Sequence, residues 1–569
     1  MKDVPTFKYN QKGKDKDDIN RKWWGGEKAR AHETIWPLVN FIRQSQSIRH
    51  TDNHRYFRMY SNQSSANLSA SRNNDNLSGY FGESARVTFN VVKSCIDTAR
   101  SKIAKEKPRP LFLTENGDWH LQQKAKRLNQ FIMGLFDQMG SPNGLVRESL
   151  YTIGSEVFFD ACITGTGAAK MYIKNGKIVA ERCMSDEIIV DQFEGMYRTP
   201  RSMHQIKYID RDVLFDTYPE AKFKKIIEDA RKASTGKESD SQDMVPVIES
   251  YHLPSGEKAS DGRRIISLES GVLHNAEWDK NYFPFLIQRW GLRPAGFYGL
   301  GLAEELQGIQ KEINQTLQNI QTGLRRVAVP RVYAHVADHN VKKRMTNEIG
   351  EIYFYKQTPP TVITAQAFNA ETYQHLDRLY QKAFETTGIS QLSSTSAKPS
   401  GLNSGVAIRN YQDVESERFS TVHAMYENFF TPQATYMALD LLDTLLEAGV
   451  DTTIQSHDGM TYQPIKYSDV QISKDSYTVR AYPTAFLPTE PAGKFAKAME
   501  GVEAGFWDID EARELMDFPD MKKAIRVKSA VRSACYSYVE KLIQTGEYQP
   551  IEPYQDMDLT RSLLQSYYL

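Results

Sequence analysis

Between residues 299 and 328 the apolar positions Leu302, Leu306, Ile309, Ile313, Leu317, Ile320 and Leu324 recur every three or four residues. That spacing predicts one long helix with a stripe to bury. A helix of roughly 25 residues spans about 38 Å. Beside the apolar stripe runs a second one of uncharged amides: Gln307, Gln310, Asn314, Gln318 and Gln321. Exposed helix flanks more often carry salt-bridging charges. A neutral amide flank suits either an ordinary packed helix with a polar surface or the wall of a hydrated passage to which nothing should stick.

The rest of the chain alternates helices with short strands. Residues 1–26 read as a flexible arm, and helices are expected over 27–47, 89–105, 118–138 and 143–162. The second has Val91, Val92, Cys95, Ile96, Ala99 and Ile103 on one face, and the prolines of Lys107-Pro108-Arg109-Pro110 stop it. Residues 61–79 are Ser/Asn-rich and read as a surface loop. The pattern then changes. Two strands around Asn175-Gly176 make a hairpin with a type I′ turn, and further strands fit 187–191, 245–252, 264–268 and 285–290, with one helix near 211–232 between them. The fold class is therefore helix-rich α+β, without the repeated βαβ pattern of a doubly wound nucleotide fold.

Beyond the amide-striped helix lies a β-leaning insert, 329–368, and then a second helix capped by Asn369 that carries Tyr373, Leu376, Tyr380, Ala383 and Phe384 on one face. The segment 393–403 is a small, polar loop, and a very long helix over 404–448 is bent at Pro432. Residues 451–482 lean to β structure. Thr489 with Pro491 opens a final helical region.

Composition narrows the function. The chain has 569 residues, enough for two to four structural regions, and 71 Lys plus Arg balance 71 Asp plus Glu. A protein that clamps many phosphates shows a basic excess, so any DNA contact here is expected to be local or transient. Cys95, Cys162, Cys183 and Cys535 form no CxxC pair, which points to a reducing compartment without disulfides or a zinc ribbon. No apolar run reaches about 18 residues, so neither a membrane span nor a secretion signal is expected.

Catalytic motifs fail on inspection. None of Gly13-Lys14, Gly176-Lys177, Gly236-Lys237 and Gly493-Lys494 is followed by the Ser or Thr of a Walker A loop. The glycines 165 and 167, and 296, 299 and 301, read either as phosphate cradles or as tight turns. His50 and His54 with Asp52, and His335 and His339 with Asp338, have metal-ligand spacing without a third ligand in view. The expectation is a non-enzymatic protein with no metal and no cofactor. Two segments suit contact with partners. The loop 393–403 carries one cation, Lys398, fit for touching a polyanion. The insert holds Lys342, Lys343 and Arg344 near Glu348, a mixed-charge face better suited to protein docking than to DNA readout.

The order of elements, together with RWGLRPAGFYGLGLAEELQGIQKEIN (289–314), KPSGLNSGVAIR (398–409), YPTAFLPTEPAGK (482–494) and FNVVKSCIDTA (89–99) followed by KPRP, resembles the portal proteins of tailed bacteriophages, most of all the short-tailed, podovirus type. The resemblance implies a ring of twelve subunits at one capsid vertex, through which double-stranded DNA is packaged and ejected. It implies a wing (27–298 and 405–488), stem helices (299–328 and 369–392), a clip (329–368), a tunnel loop (393–404) and a crown (489–569). Its partners would be copies of itself, the capsid or scaffolding protein, the terminase large subunit and then head–tail adaptor or tail proteins, with no membrane. It would be found at the virion's portal vertex and in the host cytoplasm during assembly. On this reading Ser396, Lys398, Ser400 and Asn403 face DNA in the tunnel loop. Gln307, Gln310, Asn314, Gln318 and Gln321 line the channel, and Lys342, Lys343, Arg344 and Glu348 dock partners at the clip. The alternatives are another virion structural protein, such as an adaptor or tail component, and a DNA-packaging enzyme.

Overall fold

The structure, a computed structural model of the chain, describes residues 22–25, 30–62, 89–105, 107–114, 119–140, 148–231, 243–256, 259–328, 331–333, 361–363, 370–389, 419–457, 462–473 and 477–481, with a few isolated positions beyond 537. Residues 1–21 and 26 of the arm, the Ser/Asn-rich segment 63–79, His335 and His339, the tunnel loop and nearly all of the crown lie outside the described residues, as do Lys342, Lys343, Arg344 and Glu348. The described end of the arm is not a flexible one, because Trp23 is buried in a core cluster with Trp24 packed against it.

In chain order, the amino-terminal helix is two: α1 (Ala31–Ser45) and α2 (Ser47–Tyr60), parted at Gln46. The second was not expected from sequence because its apolar residues are few; it buries only Asn53, Tyr56 and Met59. Then come α3 (Val91–Ile103), which buries the six residues its pattern marked, β1 (Pro110–Leu113), α4 (Trp119–Gln138) and α5 (Leu150–Thr164). The hairpin β2 (Thr166–Lys174) and β3 (Lys177–Cys183) turns through Asn175 and Gly176 at φ 51° and 71°, the type I′ geometry. Strands β4 (Ile188–Ile189) and β5 (Ser202–Asp210) follow. The single helix expected over 211–232 is α6 (Arg211–Thr217) and α7 (Ala221–Glu228), because Pro219 drives Tyr218 out of helical geometry.

Next are β6 (Met244–His252), β7 (Arg263–Leu268), β8 (Gly271–Glu277), β9 (Phe285–Arg289) and the long α8 (Leu302–Ala328). The insert opens with β10 (Arg331–Tyr333) and closes with β11 (Thr361–Ile363), which pair antiparallel, Val332 opposite Val362. The helix α9 (Ala370–Thr387) returns. The described part of the long bent helix is α10 (Ser420–Asn428), a π-helical turn (Phe429–Ala434) holding Pro432, and α11 (Thr435–Glu447). The wide turn accommodates a residue that lacks an N–H, as kinks at proline do, and Thr435 Oγ1 donates to the Phe430 carbonyl at 2.9 Å. Finally β12 (Thr453–His457) pairs with β13 (Tyr462–Lys466), and after α12 (Tyr467–Val470) the strand β14 (Thr478–Ala481) pairs with β1. No described helix is long and apolar enough to cross a membrane.

The chain divides into two compact units. One comprises residues 105–154, 169–181 and 426–569. Here Tyr151 stacks on Phe430 at 5.2 Å, Phe131 packs against Tyr467, and Tyr467 donates to Asp443 at 2.7 Å.

The other unit comprises 1–104, 155–168 and 182–425 and is built on an antiparallel sheet of order β4-β5-β6-β7-β8. Strand β5 fills a gap left by the sequence pattern: its SMHQIKYID alternates, but with His204 and Gln205 at buried places. The period of two sends Ile206, Ile248 and Ile265 to one face, against Trp23 and α1, and Met203 and Tyr251 to the other, against Phe285 and Phe297. On the first face the register sets Ser202 opposite His252 and His204 opposite Ser250. Each pair shares a hydrogen bond, at 2.9 Å and 2.7 Å, and Trp24 stacks on the His252 ring at 3.6 Å.

Burial, with His252 beside it, pushes His204 down to about 3; burial and the charge of Arg201 push His252 down to about 4. An unfolded histidine titrates near 6.5. As pH falls below about 6.5 the unfolded chain takes up protons that the folded one refuses, so stability drains away down to the folded values. Urea unfolding at pH 4.5 is expected to show a lower midpoint than at pH 7, and His204→Gln to flatten that difference. An identical pH response in the variant would contradict the account.

Candidate functional site

The long helix α8 begins at a joint made of glycines. Gly165 adopts φ +85°, and a Cβ on it would lie 2.4 Å from the Gly299 carbonyl oxygen; a Cβ on Gly299 would lie 2.2 Å from that of Gly165. A Cβ on Gly301 would stand 2.7 Å from the Ile163 carbonyl oxygen. The end of α5 and the start of α8 therefore touch backbone to backbone, and Gly299 N–H donates to Thr166 Oγ1 at 2.8 Å. Of the two readings open for these glycines, tight turns and phosphate cradles, the packing favours the turns: the space beside them is filled by main chain.

Arginines lock the joint. Arg289 donates to the Phe297 carbonyl at 2.8 Å, and Arg293 donates to the Gly299 carbonyl and pairs with Glu304 in the first turn of α8 at 2.5 Å. Arg49 of α2 lies 3.8 Å over the Tyr298 ring, whose hydroxyl donates to the Ile188 carbonyl. A cleft of about 430 Å³ opens here, its lining including Arg49, Asn53, Tyr56, Arg293, Tyr298 and Glu304. The histidines of α2 turn to one carboxylate: His50 Nδ1 lies 3.1 Å and His54 Nε2 3.9 Å from Asp186, while Asp52 pairs with Arg55. Burial raises the Asp186 carboxyl, but hydrogen bonds from His50 and Asn53 and the charge of Arg49 outweigh it and hold it below the usual range.

The 27 residues of α8 span about 40 Å. Leu302, Leu306, Ile313 and Ile320 are buried as expected, but Leu324 is 50% exposed. The helix packs against α2, α3 and α9, with Leu376, Ala383 and Phe384 of α9 buried; Tyr373 of the expected α9 face is exposed.

The amide stripe does not act as one surface. Gln310 is 3% exposed and departs from the expected channel-facing role. Its Oε1 accepts from the Val91 and Val92 N–H groups at 2.9 and 3.3 Å, and its Nε2 donates to the Phe89 carbonyl at 2.8 Å and to Asn314 at 3.0 Å. The first N–H groups of a helix have no partner within it. Gln310 caps two of them, and Asn90 caps a third, at Lys93, while its amide donates to the Met59 and Tyr60 carbonyls that end α2. One amide of α8 thus fixes α3. Gln318 is exposed, and Gln307, Asn314 and Gln321 are half-buried. Gln310→Leu leaves two buried N–H groups without acceptors. It is expected to cost about 2–4 kcal/mol, read as a lower unfolding midpoint and faster amide exchange at Val91 and Val92.

A family model described as the phage SU10 portal protein matches residues 196–429, about two-fifths of the chain. The matched stretch runs from just before β5 into the π-helical turn and includes the glycine-rich start of α8, α8 itself and α9. Over that stretch the chain is similar to the phage SU10 portal protein family. No curated protein matches the chain.

Proposed function

We propose that the chain is the portal subunit of a short-tailed phage. Twelve copies close into a ring at one capsid vertex, and double-stranded DNA passes along its axis during packaging and ejection. The observation that carries this reading is the family match over 196–429. The architecture agrees with it: two helices, α8 and α9, pack side by side and flank an insert whose two ends pair as β10 and β11.

In this reading 299–328 and 369–392 are the stem, 329–368 the clip that docks the terminase motor and later the adaptor or tail, 393–404 the tunnel loop and 489–569 the crown. Residues 27–298 and 405–488 form the wing, where the capsid or scaffolding protein is met. The protein acts as a conduit and catalyses nothing. A duplex must slide both ways, and dense phosphate contacts would stall it, because each one adds salt-dependent affinity. The balanced charge of 71 cations and 71 anions suits that demand. With Gln310 committed to α3, the channel-facing candidates of the stem are Gln318 and the half-buried Gln307, Asn314 and Gln321. Ser396, Lys398, Ser400 and Asn403 remain the candidates for touching DNA, and Lys342, Lys343, Arg344 and Glu348 those for the clip.

Class-averaged electron micrographs of the purified protein are expected to show a ring with an axial hole, with a sedimenting mass near that of twelve chains. A product monomeric at every concentration, or a particle closed on its axis, would overturn the reading.

A further inference from the structure

Arg289, Arg198 and Glu305, in the unit that holds the five-stranded sheet, form no ion pair among the described residues. Arg289, at the end of β9, lies with its guanidinium 4.9 Å from the Phe297 ring centre and donates to a carbonyl, not to a carboxylate. Burial, and the like charge of Arg198, lower it to about 10. Arg198 itself stands at φ 65° and donates to the Arg293 carbonyl at 2.6 Å. Its loop presents Phe193 and Tyr197, each 83% exposed.

The third group has the opposite sign. Glu305 in the first turn of α8 has no cation partner, and burial with Glu304 alongside raises its carboxyl above the ordinary value. One turn further on the helix is Gly308, where a Cβ would meet nothing within 4 Å. A glycine inside a helix costs roughly 0.5–1 kcal/mol relative to alanine, and among the described residues no close approach accounts for it.

We propose that the Arg198–Arg289 corner of one copy docks on the Glu305–Gly308 face of α8 in the next copy, with the Tyr197 ring seated over the notch at Gly308. The inference rests on the ring reading above. The two surfaces differ, so the contact is head-to-tail, the kind that generates rings. Charge complementarity selects the occupant: two uncompensated cations on one patch and an uncompensated carboxylate on the other. A nucleic acid fits the corner less well, because Asp191 and Glu194 on the same loop repel a run of phosphates more than the single carboxylate of Glu305. Exposed Tyr and Phe beside Arg are instead the residues enriched at protein interfaces.

The test uses the full chain, with native mass spectrometry and sedimentation reading assembly. Arg198→Glu and Glu305→Arg, each alone, should raise the concentration needed for ring formation about tenfold or more. An equal mixture of the two should assemble again, because in an alternating ring every junction then joins opposite charges. A variant that merely failed to fold would not be rescued by mixing. Gly308→Leu should impair assembly, whereas Gly308→Ala should raise the thermal midpoint of the unassembled chain. Singles that assemble like the parent, or folded singles whose mixture does not recover, would overturn this contact and leave the ring reading standing. A parent chain that never forms rings would overturn both.

Discussion

Asp160→Ala will be among the most damaging single changes in the chain. Asp160 is fully buried in α5, and Arg182 grips its two oxygens with Nε and Nη2 at 2.7 and 2.6 Å. Burial alone pushes that carboxyl up, and the guanidinium pulls against it; the same pairing lifts Arg182 above its ordinary value. Removing one partner of such a pair leaves the other charge desolvated, which costs about 3–5 kcal/mol. Arg182 also reaches Glu156 at 3.4 Å and is about one-third exposed, which places the loss toward the lower end of that range. Urea unfolding should show the drop. Asp160→Asn, which keeps an acceptor and the packing, should lose less. Equal losses from the two would mean that packing, not charge, is what Asp160 supplies.

The second large effect is expected at the glycine joint. Gly165→Ala must accept a Cβ at φ +85° and 2.4 Å from a backbone oxygen that has no freedom to rotate away. Strain of this kind and overpacking together cost about 2–5 kcal/mol. Relief requires the start of α8 to move away from the end of α5, so assembly of the proposed ring should suffer beyond the loss of stability. Gly256→Ala, where a Cβ meets nothing, is the control and should leave both unchanged. Rings from Gly165→Ala that match the parent in yield and midpoint would remove the joint from the account.

What could be read from the sequence was local. The face of α3 and the Asn175-Gly176 hairpin follow from periodicity and turn chemistry within a dozen residues, and both stand as expected. The role of Gln310 was hidden because spacings of three and four place it equally well in the amide stripe or the buried face. What decides is the α3 amino terminus, some 219 residues earlier in the chain. Strand β5 was hidden for a related reason. His204 satisfies burial only through Ser250 on the neighbouring strand, and that register is invisible until the strands are paired. Asp160 did leave a signal, a lone carboxylate inside Val157-Phe-Phe-Asp-Ala-Cys-Ile163, since such residues are seldom buried unless paired.

The short ladder between β10 and β11 has an evolutionary corollary. Arg331 faces Ile363 and Tyr333 faces Thr361, so the polypeptide leaves α8 and rejoins α9 through adjacent doorposts. A sequence of any length with compatible ends can be exchanged between those posts while the helices below keep their partners. If the insert is the clip of the proposed portal, a change of motor or tail calls for remodelling that one cassette and leaves the remainder of the subunit unaltered.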